Sequence, residues 1–193
     1  SDARLGEQID ALEQKLEAKA DVKKIDDIAL FIKFPISGNS WYRIFVMNST
    51  AAAIAKGSGD LSADLVIKRS YNNSNNEHHS ISLKAVYTKA EFINENSVSN
   101  TLLVDKIRMV VANTSSYIDI HVNNSAYNEI CAYLLFPNIA FKGISAPWKE
   151  MPNSVVPLVP ETATGEEVVA TYTFSANRTI ESRLKALEAK AGI

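Results

Sequence analysis

Cysteine is almost missing from this chain. Cys131 stands alone among 193 residues, so no intrachain disulfide can form. No run of eighteen apolar residues occurs, and nothing reads as a membrane span. No secretory leader pattern is present, and a first residue of Ser in place of Met reads as the trimmed end of a longer polypeptide. Charge of one sign is missing too. Twenty basic and 22 acidic side chains leave a net −2, which argues against a nucleic-acid binder that works by neutralising phosphates. The familiar catalytic signatures are absent as well. Gly57–Gly59 lacks the lysine and spacing of a P-loop, and neither a G-x-S-x-G elbow nor an H-E-x-x-H pair occurs. What remains, 46% hydrophobic and 22% charged, is the composition of an ordinary globular domain with appendages.

The ends and the middle use different vocabularies, which divides the chain into 1–30, 31–175 and 176–193. The pentapeptide LEAKA occurs at Leu16–Ala20 and again at Leu187–Ala191. Around the first copy, Leu5, Ile9, Leu12 and Leu16 recur at coiled-coil spacing among charged flanks, and the heptad falters at Lys19 and Lys23. Around the second, Ile180, Leu184, Leu187 and Ala191 repeat the spacing, with Asn177 or Thr179 as cap and Gly192 where a C-cap glycine belongs. A helix of about a dozen residues is marginal in water unless its apolar stripe packs against something. Both ends therefore predict self-association along an axis, with a C-terminal helix folded back on its own sandwich as the alternative.

The middle reads as strands: WYRIFVM (41–47), LVIKRSY (65–71), ISLKAVYT (81–88), KIRMVVA (106–112), YIDIHV (117–122), EICAYLLF (129–136) and VVATYTF (168–174). Ile118, Ile120 and Val122 point one way, Tyr117, Asp119 and His121 the other. Ile81 and Leu83 form an inward row, as do Val168, Ala170, Tyr172 and Phe174, and Cys131 reads as a buried strand residue. ISGNS, AKGSGD, NNSNNEHHS, NENSVSN and NNSAYN read as turns. The proline-rich stretch from Pro147 to Pro160 reads as an extended segment along a sheet edge. Together these predict a mainly β chain: an antiparallel, jelly-roll-like (C1q/TNF-like) β-sandwich between an N-terminal coiled-coil helix and a short C-terminal helix. WYRIFVM and EICAYLLF are apolar on both faces, which predicts a second subunit against them; three copies around one axis fit this best.

Chemistry is sparse. Adjacent His78 and His79 on a strand point to opposite faces and are poorly placed to share an ion, although one histidine on a threefold axis would supply three ligands. Neither a metal nor a cofactor is called for. Glu91, Glu95 and Asp105 are too scattered to nominate a glycosidase pair. The asparagine-rich loops offer paired amides beside aromatic rings, which suits sugar hydroxyls; Tyr71, Asn73, Asn75, Asn123 and Tyr127 are the candidate ligand residues.

The helical run leading into GNSWYRIFVM, then LVIKRSY, DKIRMVV and YIDIHV, resembles the distal domains of bacteriophage tail fibres, particularly those of gut phages and prophages. The resemblance covers about Gly38 to Phe136. It implies a trimeric, non-enzymatic virion component that attaches to a bacterial surface glycan or protein. A C-terminal helix departs from tip domains that end in β-structure and points to an internal fibre segment.

Overall fold

The computed structural model describes residues 2–36, 38–48, 60–69, 77–86, 89–99, 102–112, 115–123, 128–135, 148–151, 158–159, 165–176 and 180–193. Helix α1 (Asp2–Ile28) runs without a break into strand β1 (Ala29–Ile36), two residues earlier than the composition shift suggests. Then follow β2 (Ser40–Asn48), β3 (Asp60–Arg69), β4 (Glu77–Val86), β5 (Lys89–Ser99), β6 (Val104–Val111), β7 (Ser115–Val122) and β8 (Asn128–Leu135). Two short strands, β9 (Trp148–Glu150) and β10 (Leu158–Val159), precede β11 (Glu167–Thr173) and helix α2 (Ile180–Ala191).

The strands form two antiparallel sheets, β1-β8-β3-β4-β5 and β10-β2-β7-β6-β11, with β9 also paired to β2. The chain is mainly β, two sheets deep, with a helix at each end. Strands β1 with β8 and β2 with β7 nest as antiparallel pairs, while β3, β4 and β5 are successive neighbours in one sheet. At one side the edge strands β5 and β11 lie against each other; at the other, β1 meets β9. The proline-rich stretch follows the edge of β2 wherever it is described, since both β9 and β10 pair there. Pro35 sits on edge strand β1, where a missing N–H costs no ladder bond.

Alternation decides which face is inside. In β1, Leu30, Ile32, Phe34 and Ile36 are buried, and Ile118, Ile120 and Val122 of β7 meet Ile107 and Met109 of β6 in the same core. Each such side chain contributes roughly 1.5–3 kcal/mol by leaving water.

Several expectations fail at bulges, because one inserted residue moves the remainder of a strand to the opposite face. NENSVSN is not a turn over its described residues, since Asn94–Ser99 lie inside β5. Register slips between Ser80 and Ser82 opposite Asn94, which adopts a left-handed φ of 58°. Before the bulge Ala90 and Phe92 point inward; after it Glu95, Ser97 and Ser99 do, and Val98 points out. A second bulge between Val168 and Ala170 turns Val168 outward and places Val169 against the core. Cys131 is half-buried rather than buried, because it belongs to the outward set of β8.

Candidate functional site

Two polar clusters and one exposed apolar surface remain once the core is set aside. The first cluster lies between the sheets. Glu77 and His79 share the inner face of β4, and the Asn94 bulge brings Ser97 and Glu95 of β5 beside them. His79 Nε2 is 2.8 Å from Glu77 Oε1, and its Nδ1 is 2.7 Å from Ser97 Oγ. Ser97 Oγ reaches Glu95 Oε1 at 3.0 Å; Tyr172 Oη donates to Glu95 Oε2, and Ser175 N to Glu95 Oε1 at 3.2 Å. Glu77 also accepts the backbone N–H groups of Leu103 and Val104 at 3.0 and 2.8 Å. These amides follow Leu102, whose left-handed φ of 48° is costly for a branched residue, so the carboxylate braces a strained turn.

A hydroxyl, an imidazole and a carboxylate in series have the composition of a nucleophilic triad, but here they serve packing. The His79 and Ser97 residues are fully enclosed, and Phe174 stacks on the imidazole at 4.3 Å. Ser97 donates to Glu95 Oε1, so its contact with His79 is filled when the imidazole carries its hydrogen on Nδ1 and donates to Ser97 Oγ. Glu95 is thus committed here. Asp105, the inserted residue of the β6–β7 bulge, instead meets His121 Nδ1 at 2.6 Å on the outer face of the second sheet.

The second cluster occupies that outer face. Arg43 of β2 donates through Nε to Asp119 Oδ1 of β7 at 2.9 Å and through Nη1 to Glu166 at 2.8 Å. Arg108 of β6 reaches the other oxygen, Asp119 Oδ2, at 3.0 Å. Arg43 lies over the Tyr117 ring and Arg108 over the Trp41 ring, at 3.7 and 4.1 Å. Burial works to lower the Arg43 pKa, but the hydrogen bonds and charges of Glu166 and Asp119 outweigh it, and the net shift is upward. The Arg43 hydrogen bond holds Glu166 below the usual carboxylate range against a smaller opposing effect of burial. Trp41 and Arg43 are buried within the single chain, so the outer face of WYRIFVM is covered without a second subunit, contrary to the sequence expectation.

The first sheet differs. On its outer face Phe31 is 45% exposed and stands 4.9 Å from Tyr133, with half-buried Val66 also opposite Tyr133. His78 faces outward beside Lys68, while His79 faces inward, so the two histidines diverge as strand geometry requires. Burial, then the charges of Lys68 and His79, depress the His78 pKa. Among the described residues no group of three or more His, Cys, Asp or Glu side chains is placed to hold a metal ion.

Of the candidate ligand residues, Tyr71, Asn73, Asn75 and Tyr127 lie outside the described residues. Asn123 is exposed at the end of β7, and its Oδ1 accepts Asn39 Nδ2 at 3.3 Å. The helix stripes are fully in view. Leu5, Ile9, Leu12 and Leu16 on α1, with Ile180, Leu184 and Leu187 on α2, are between 54% and 76% exposed. Among the described helices none is long and apolar enough to cross a membrane.

Comparison with protein families, curated proteins and solved structures finds no match to this chain.

Proposed function

We propose that the chain is a non-enzymatic component of a trimeric fibre, of the kind found in bacteriophage tails, that attaches to a bacterial surface glycan or protein. The observation that carries the reading is the apolar stripe on both helices, exposed in the single chain at residues that ordinarily bury themselves. A narrow stripe with charged flanks is satisfied by copies of itself, not by the chain's own sandwich. The half-exposed Phe31, Tyr133 and Val66 on the outer face of the first sheet give a second apolar surface for the same assembly. The nested β1–β8 and β2–β7 pairs support a jelly-roll-like, C1q/TNF-like sandwich, from which the β3-β4-β5 run departs. Three rigidly joined weak sites raise avidity by roughly two to four orders of magnitude without any stronger contact.

Light scattering tests the assembly. The expected mass is three times the 21.2 kDa of the chain, and a monomer mass overturns the reading. A purely structural fibre protein is the second reading, favoured by polar clusters that are spent on internal bonds and by an Asn123 amide already engaged by Asn39. Binding to a bacterial glycan array separates the two.

A further inference from the structure

The stripe of α2 carries a charge code that that of α1 lacks. With Ile180 and Leu187 at heptad position d and Leu184 and Ala191 at a, the two e positions are Glu181 and Glu188, and the two g positions are Arg183 and Lys190. Every e position in this helix is acidic and every g position basic. In α1 the same assignment puts Leu5 and Leu12 at d and Ile9 and Leu16 at a; Gly6 and Glu13 then fall at e, Gln8 and Lys15 at g. The charged positions have the same signs there, but parallel register sets Gln8 against Glu13 and Lys15 against Ala20, so no g–e pair of opposite charge forms.

In a parallel coiled coil the g residue of one heptad faces the e residue of the next heptad on its neighbour; in an antiparallel one g faces g and e faces e. Parallel copies of α2 therefore set Arg183 against Glu188 of a neighbouring copy. Antiparallel copies set cation against cation and carboxylate against carboxylate. The surface is open to receive a copy. None of the α2 residues is buried, and the edge bearing Arg183 and Lys190 borders a groove whose far wall is Ser175 and Ala176. Glu181 is held within its own helix by Lys185 at 3.0 Å, which leaves Glu188 to answer Arg183. The helix also ends cleanly. Gly192, at φ 73°, closes a double C-cap in which Gly192 N donates to Ala189 O at 3.4 Å and Ile193 N to Glu188 O at 3.1 Å.

We infer that α2 is a parallel, in-register docking surface for other copies of α2, and that its e/g charges set the direction of the assembly while α1 contributes apolar area. The inference rests on the trimeric reading above and deepens it.

Amide hydrogen exchange on the whole chain tests it. A lone helix of this length exchanges almost as fast as coil, whereas a docked one is protected. Three proteins are compared: the wild type; Arg183→Glu with Lys190→Glu; and that pair combined with Glu181→Lys and Glu188→Lys. The expected result is protection across residues 180–191 in the wild type, its loss in the double variant, and its return in the fourfold variant. The sandwich amides should stay unchanged throughout. Protection that survives the double variant overturns the charge code. A wild type that is trimeric by mass but unprotected over α2 overturns this inference alone; a monomeric wild type overturns both.

Discussion

Leu83 and Leu12 are the same residue type in opposite circumstances. The first is fully buried on β4, and the second is 59% exposed on α1. The contrast holds across the two regions. Within the β domain even the buried charged groups are matched: Asp119 serves two guanidinium groups on the outer face of the second sheet, and Glu77 serves an imidazole and two backbone amides between the sheets. At the ends, the apolar stripe residues stay more than half exposed. A region that is complete in one copy is a module; a region that is incomplete in one copy is a joint.

The contrast can be broken from either side. The largest expected effect is on the joint: Leu12→Asp with Leu16→Asp should reduce the light-scattering mass to a single chain, while the urea midpoint of the sandwich shifts by no more than about 0.5 kcal/mol equivalent. Next comes the interior. Asp119→Ala removes the carboxylate shared by two buried arginines and should cost about 3–5 kcal/mol by urea denaturation, with α1 untouched. Glu77→Gln places an amide where donors converge, and a loss of about 1–3 kcal/mol is expected by the same measurement.

Acid sharpens the picture further. The folded pKa of Glu166 lies below its ordinary 4.5, so its contribution is in place above that pH and fades as pH falls through the folded value. Glu166→Gln should therefore lower stability most in the neutral region and flatten the profile below about pH 4.5, where the loss shrinks. The smallest effect is expected at the exposed Lys33–Glu129 pair: Lys33→Ala should move stability by under about 0.5 kcal/mol.

Much of the fold is written in alternation. Strands β2, β6, β7 and β8 are legible because their inward sets are apolar and unbroken or nearly so. Strand β5 is not, because the Asn94 bulge exchanges its faces midway and puts Glu95, Ser97 and Ser99 where a hydrophobic row is expected. The start of β4 is hidden for the same reason: Glu77 and His79 are polar and inside. Only the pairing of the two strands across the ladder makes sense of either. An asparagine amid β-branched and aromatic neighbours was the available clue to the bulge. The stripes at the ends were readable because a helix repeats its own spacing without help from elsewhere.

The junction at Ile28 and Ala29 has a mechanical meaning. With no loop between α1 and β1, tension along the stalk enters the sandwich through an edge strand bonded to β8 over eight matched residue pairs. Those hydrogen bonds lie across the strand, so a pull along it loads them together in shear instead of peeling them one by one. A junction wired in this way resists being pulled apart along the axis of α1.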